Sequence, residues 1–371
     1  MAKILFLANS KWYLNNFRYS TITKFKSEYN ISICYPANTS QPVLEDIHSY
    51  TFKLDPTSQN PLKEILTLFS LFRVFIRAKP DIIFSFNPKP NLYALMLAWL
   101  ARKPLCCPNV SGLGDAQNMK GYKKHIYNAL FKFFYKKSPH IFFQNDTDRS
   151  LIIGNVLPNN FPHEVLPGSG VDLEKFNIVS TNNDGRRNFL MAARLIKTKG
   201  VLEYLEAAQS CHSAISPCFY LAGVNDSSTR AVPLESIDNF VLDNDRIFFL
   251  GEVARMSELL VDIDCVVLPS YYPEGTPRSL LEAAAAGKVI ITTDTPGCRD
   301  VVVEGINGYL VPPRDTEALK VAMEKVINLS DEKLAEMQAS SRKLAEEKFD
   351  EQYVIQRYLD VAEKVLAKKS K

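Results

Sequence analysis

A chain of 371 residues exceeds what one hydrophobic core ordinarily fills, so its length predicts two domains. Its 46% hydrophobic and 23% charged residues, with 15 Gly and 21 Pro dispersed along the chain, exclude extended disorder. The net charge of +3 hides a division: residues 1–166 hold 20 Lys and Arg against 10 Asp and Glu, or +10, while the remainder holds 24 against 31, or −7. A basic first half points to a polyanionic partner, whether nucleic acid, an anionic membrane or a phosphorylated substrate. Seven cysteines without C-x-x-C or Cys/His spacing indicate a reducing compartment and no structural metal. The start MAKILFLANSKWY has too short an apolar stretch for a signal peptide and reads as a first strand.

Short runs rich in Ile, Val and Phe follow in chain order, each succeeded by a stretch of helical spacing. They are Ile4 to Ala8, Ile31 to Tyr35, Ile82 to Phe86, Leu105 to Val110 and Ile141 to Gln144, then Phe189 to Ala193, Phe219 to Ala222, Ile247 to Leu250, Cys265 to Pro269, Val289 to Thr292 and Gly308 to Val311. Nearly continuous apolar strands are buried on both faces, so the pattern predicts an α/β protein of two doubly wound Rossmann-like domains. The Pro, Gly and Asn cluster LPNNFPHEVLPGSG, Leu157 to Gly170, marks the boundary, giving domains 1–166 and 167–371. An amphipathic helix at 350–368 has no strand after it and is expected to pack back on the first domain. Ligands in such folds bind beyond the carboxyl ends of the strands, so the chemistry is expected in a cleft between the domains.

Two segments carry residues suited to that place. YYPEGTPRSLLEAAAAGK puts Glu274 on a loop and Glu282 eight positions later in a helix, with Thr276 as cap, Pro277 in the first turn and Gly287 at the end. Amides at Gly275, Thr276 and Arg278 would offer an anion site, and two fixed carboxylates would accept hydrogen bonds from sugar and ribose hydroxyls. MAARLIKTKGVLEYLEAA places Arg194 and Lys199 on a loop before a helix opened by Gly200, which suits a diphosphate. Either segment alone is also compatible with ordinary solvated loops. Asp262-x-Asp264 has the form of a metal-binding DxD but directly precedes a strand, so a solvated helix end is expected there.

These segments, with LPGSGVDLEKF around Gly170, Val171, Asp172 and Phe176, FFLGEV around Gly251, and DCVVLPSYYPEGTPRSLLEAAAAGKVIITTDTPGCRDVV, match in order and spacing a known family. The chain resembles the GT-B glycosyltransferases of family 4 over nearly its whole length, and within them the bacterial enzymes that extend polyprenyl-diphosphate-linked glycans for O-antigen, capsule or protein glycosylation. The resemblance implies transfer of a hexose or N-acetylhexosamine from a nucleotide diphosphate sugar, UDP or alternatively GDP, with retention of configuration and without metal or cofactor. It implies that Glu274, Gly275, Thr276 and Pro277 line the donor sugar and phosphate, that Glu282 holds the ribose, that Arg194 and Lys199 bind the diphosphate, and that Gly251 and Val253 meet the base. The departing phosphate would accept the proton of the attacking hydroxyl.

Two features depart from the family pattern. ANSKWYLNNFRYS lacks the glycine-rich turn after the first strand, and CPNVSGLGDAQ offers Asn109, Ser111, Gly112 and Gly114 where many relatives have a histidine. His125 lies beyond, in a predicted helix. On the acceptor side, Lys11, Trp12 and Arg18 occupy the first βα loop, with Arg18 expected to pair the acceptor diphosphate, beside Gly112 and Gly114.

The run MKGYKKHIYNALFKFFYKKSPH interleaves Lys120, Lys123, Lys124, Lys132, Lys136 and Lys137 with Tyr122, Ile126, Leu130, Phe133 and Phe134. Such a basic amphipathic stretch suits an anionic membrane surface, although its apolar side equally suits packing on the sheet. Leu62 to Ile76 and Leu92 to Leu100 are too short or too charged to span a bilayer and read as ordinary helices. The expected location is cytoplasmic, peripheral to the inner face of the cell membrane. A UDP-sugar 2-epimerase of the same fold and a non-catalytic sugar-nucleotide-binding subunit are the competing readings. Nucleic-acid binding lacks a recognised module.

Overall fold

The computed structural model describes residues 1–37, 46–55, 60–112, 121–177, 186–212, 216–226, 230–273 and 275–369, the side chains of 122–124 and 369 excepted. The chain forms two compact units, Met1–Ser169 with Glu351–Lys371, and Gly170–Asp350.

In the first unit the strands are β1 (Lys3–Leu7), β2 (Asn30–Pro36), β3 (His48–Phe52), β4 (Ile82–Phe86), β5 (Leu105–Val110), β6 (Ile141–Phe143) and β7 (His163–Val165). They form one parallel sheet in the order β3-β2-β1-β4-β5-β6-β7. Because side chains alternate along a strand, Ile4 and Phe6 enter one core while Leu5 and Leu7 enter the other. The first core holds Ile22 and Phe25 from the helix Tyr19–Lys26 and Val354, Tyr358 and Val361 from the last helix, Glu351–Lys369. Tyr358 accepts a hydrogen bond from Asn109 Nδ2, and Arg357 pairs with Glu164. The second core is closed by the helices Pro61–Ala78, Pro88–Ala101 and Gly121–Tyr135. Asn60 starts the first of these by accepting from Leu62 N at 3.0 Å, with Pro61 in the first turn.

The second unit repeats the plan with β8 (Asn188–Ala192), β9 (Cys218–Ala222), β10 (Ile247–Gly251), β11 (Cys265–Leu268), β12 (Val289–Thr293) and β13 (Gly308–Val311). All are parallel, in the order β10-β9-β8-β11-β12-β13. In each sheet the winding reverses beside its first strand, between β1 and β4 and between β8 and β11. Those are the switch points where doubly wound sheets open a crevice. The expected α/β class with two doubly wound sheets is what the chain adopts.

Candidate functional site

The switch point of the second unit gathers the loops after β8 and β11. Arg194 stands half-exposed on the first loop, its Nη1 3.4 Å from Asp226 Oδ2. A single 3₁₀ turn, Lys197–Lys199, follows, and Gly200 at φ +80° opens the helix Val201–Ser210. Lys199 is buried. Only glycine fits at 200, since a Cβ there would lie 2.3 Å from the carbonyl oxygen of Pro269 on the β11 loop. Tyr271 N donates to Thr198 O at 3.0 Å, so the two loops are held backbone to backbone.

On the β11 loop Gly275, Thr276 and Pro277 are buried, while Glu274 lies outside the described residues. The helix runs Arg278–Ala285, with Pro277 as its N-cap and no side-chain cap. This corrects the expected cap: Thr276 stands one position too early, and proline leads into the helix with its fixed φ of −64°. Glu282 Oε1 accepts from Arg278 Nε at 2.9 Å, and Arg278 Nη1 donates to Gly170 O at 2.8 Å. Both side chains are largely buried, so the carboxylate is fixed in direction. Gly251 ends β10 at the sheet edge, two strands from β8, and Val253 follows it; Gly251 has φ +64° and its carbonyl accepts from Gly223 N.

Two cations were not singled out from the sequence. Arg314 lies 4.5 Å from the ring centroid of Tyr271 and Arg230 5.7 Å from that of Tyr272, stacking on the tyrosines that precede Glu274. Arg278 was named only for its amide, although its spacing of four from Glu282 on one helix was a readable signal. The switch point of this unit therefore gathers several cations and the oriented carboxylate of Glu282. Asp264 lies at the opposite end of the sheet and is buried rather than solvated, its Oδ2 accepting from Asn188 N at 2.8 Å. Among the described residues no group of His, Cys, Asp and Glu is placed to hold a metal.

At the first unit's switch point Asn9 N donates to Asn87 Oδ1 at 3.3 Å, joining the ends of β1 and β4. The expected loop is helical: Ser10 caps the helix Lys11–Phe17, and Arg18 ends it. Trp12 is exposed, Lys11 is buried, and Arg18 is wholly buried. The Arg18 guanidinium lies 4.6 Å from the Phe86 ring centroid, 5.3 Å from Tyr358 and 5.9 Å from Tyr13. Its Nη2 donates to Tyr13 Oη at 3.4 Å, whereas Nε and Nη1 have no hydrogen-bond partner among the described residues. Gly112 follows β5 at φ +96°, and Gly114 lies outside the described residues. Asn109 is a structural residue, bonded to Tyr358, Asn91 and Gln144, and His125 is exposed.

The basic run is buried on one side and exposed on the other. In the helix Gly121–Tyr135, Phe131, Phe134 and Tyr135 enter the core, while Ile126, Lys132 and Phe133 face solvent, followed by exposed Lys136 and Lys137. Lys120 lies outside the described residues, and the side chains of Tyr122, Lys123 and Lys124 are not described. No helix among the described residues is long and apolar enough to cross a membrane.

Two family models tile the chain. Residues 3–145 match the glycosyl transferase 4-like family and residues 173–344 the glycosyl transferases group 1 family, one model on each unit. The N,N'-diacetylbacillosaminyl-diphospho-undecaprenol alpha-1,3-N-acetylgalactosaminyltransferase of Campylobacter jejuni is 27% identical, over 98% of this chain and 99% of its own. The UDP-Gal:alpha-D-GlcNAc-diphosphoundecaprenol alpha-1,3-galactosyltransferase of Escherichia coli is 25% identical, over 72% of this chain and 73% of its own. The fold is shared with Anabaena HepE, solved with UDP-glucose, at a TM-score of 0.79 and 17% identity, over 98% of this chain and 100% of that one. With one glycosyltransferase model on each doubly wound unit and a relative aligned end to end, the chain belongs to the GT-B glycosyltransferases.

Proposed function

We propose that the enzyme moves a hexose or N-acetylhexosamine from a UDP sugar to a polyprenyl-diphosphate-linked glycan, with retention of anomeric configuration and without a metal, at the inner face of the cell membrane. One observation carries the reading: Arg194 and Lys199 lie on a β8 loop held by backbone contacts to the β11 loop that leads to Glu282. The C. jejuni and E. coli relatives, named for diphospho-undecaprenol acceptors, support the acceptor class, and the E. coli name supports UDP.

In this reading the β-phosphate of UDP leaves C1 of the sugar as negative charge builds on it. Arg194 and Lys199 neutralise that charge and lower the barrier without help from a divalent ion. The acceptor hydroxyl attacks C1 from the face the phosphate leaves, and its proton passes to the departing phosphate oxygen. One C–O bond forms as one breaks, and no protein base is required. Glu282 accepts from the ribose hydroxyls, Glu274 and the amides of Gly275 and Thr276 meet the sugar, and Gly251 and Val253 meet the base. Lys11, Trp12, Arg18, Gly112 and Gly114 serve the acceptor side.

The test is a panel of UDP and GDP sugars against polyprenyl-diphosphate mono- and disaccharides, with and without chelator, with the product anomer assigned by NMR. An α-linked product from an α-linked donor, formed equally in EDTA, is expected. Arg194→Ala and Lys199→Ala should each lower kcat by about 10²- to 10³-fold, as loss of a charge-stabilising donor does. An inverted product, or activity abolished by EDTA, would overturn the mechanism.

A further inference from the structure

The helix Pro61–Ala78 is apolar on two sides. Leu71, Val74, Phe75 and Ala78 pack on the sheet. On the outer side Leu62, Ile65, Leu66, Phe69 and Ile76 stand between 56% and 71% exposed, at helical spacing along one stripe that also carries exposed Arg73 and Arg77. A helix covering one face of a sheet ordinarily turns polar residues outward, so an uncovered stripe of this length requires an occupant.

The stripe does not stand alone. The helices Pro88–Ala101 and Gly121–Tyr135 cover the same sheet face, sharing one core with Pro61–Ala78. Their outward residues are of the same kind: Trp99, Leu100, Ile126 and Phe133 are exposed, with the Trp99 and Phe133 rings 5.5 Å apart. Exposed Arg102, Lys103, Lys132, Lys136 and Lys137 surround them. Over residues 61–145 the sequence holds 13 Lys and Arg against three acids, Glu64, Asp81 and Asp115, so the segment carries 13 − 3 = +10. Glu64 offsets Lys89, which pairs with it at 2.8 Å, and Tyr93 also bonds it.

We propose that the outer side of this three-helix layer is the bilayer-binding surface of the enzyme, its apolar and aromatic side chains entering the interface between headgroups and acyl chains and its cations meeting anionic lipid. The charge selects the occupant. A second copy of the chain would set one basic surface against another, whereas an anionic leaflet is complementary and takes aromatic and aliphatic residues at the same depth. The surface is therefore wider than the basic run at 120–137, and Pro61–Ala78, which reads in sequence as an ordinary helix, supplies its longest apolar part. The proposal rests on the lipid-linked acceptor reading, which requires the enzyme to reach a substrate anchored in the bilayer.

The experiment compares the full-length enzyme with Ile65→Ser/Phe69→Ser in sedimentation with phosphatidylcholine vesicles containing 30% phosphatidylglycerol and with pure phosphatidylcholine. Far-UV circular dichroism and Tm confirm the fold, since both residues are solvent-facing. The wild type should partition at least fivefold better onto the anionic vesicles, and the variant should lose at least fivefold of that binding. Transfer to a short-chain, water-soluble prenyl-diphosphate acceptor should be equal for the two. Equal vesicle binding by variant and wild type overturns the proposal. So does a wild-type dimer in light scattering that the variant loses, because the stripe would then be a subunit interface. Vesicle binding as expected, with no transfer to any polyprenyl-diphosphate glycan, would instead defeat the acceptor reading and leave the surface standing.

Discussion

Replacing Glu282 by alanine tests the proposed donor site at a carboxylate that Arg278 holds in place. Arg278 Nε holds Oε1 at 2.9 Å and Arg278 Nη1 donates to Gly170 O, and in the proposed reading the carboxylate accepts from the ribose diol. A hydrogen bond to a charged acceptor contributes about 1.5–3 kcal/mol net. Alanine removes that acceptor and also the ion pair with Arg278, whose side chain is only 16% exposed. A loss of about 3 kcal/mol is expected, or roughly 10²-fold in the Kd for UDP. Calorimetric titration with UDP and with 2′-deoxy-UDP reads the effect twice. The wild type should favour UDP, and Glu282→Ala should bind both nucleotides weakly and alike. Glu282→Gln, which keeps one acceptor oxygen, should fall between them. If Glu282→Ala binds UDP within twofold of wild type, or still discriminates against the deoxynucleotide, the carboxylate does not hold the ribose.

Gly200→Ala should destabilise the enzyme by more than about 3 kcal/mol, combining a backbone at φ +80° with a Cβ 2.3 Å from Pro269 O, and a urea midpoint unchanged within error would refute that geometry. Lys288 gives a pH-dependent case. Burial pushes its ammonium down from 10.5 to about 8, against the partial opposition of Asp264 and Asp262, so the unfolded chain binds the extra proton between those values and this residue adds stability as pH rises through them. Lys288→Met should therefore be the more stable protein at pH 7, by roughly 3 kcal/mol at most, with the advantage shrinking toward pH 10. A difference from wild type that is flat across that range, in denaturant titrations at each pH, would show that Lys288 is not held in a desolvated site.

Eleven apolar runs read from the sequence became strands with ends within one residue of those expected, because a strand covered on both faces is a continuous apolar run in sequence. The two strands not anticipated, β3 and β7, are the two edges of the first sheet. HSYTF is mostly exposed or half-exposed and HEV is half-exposed throughout, so neither carries the apolar continuity on which the reading depends. Asp264 escaped for a related reason. Its acceptor role toward Asn188 N comes from strand pairing between β8 and β11, 76 residues apart, and no local spacing reports it.

The donor side was more legible than the acceptor side for a physical reason that Arg18 makes plain. Arg194, Lys199 and Glu282 sit in short βα connections or in the first turns after them, so the signal for their proposed roles is written within a few residues of the strand that presents them. Arg18 acquires its surroundings from Phe86 at the end of β4 and Tyr358 of the last helix, 68 and 340 positions further along. A guanidinium enclosed by three rings, with no partner for Nε and Nη1 and no paired anion among the described residues, is stabilised by cation–π attraction. A buried cation with unused donors favours any arrangement that brings an oxyanion to it. That energetic debt, rather than exposure at a loop, is the structural argument for keeping Arg18 on the acceptor side, and it places the burden of recognition on aromatic residues that the first fifty positions of the chain do not contain in full.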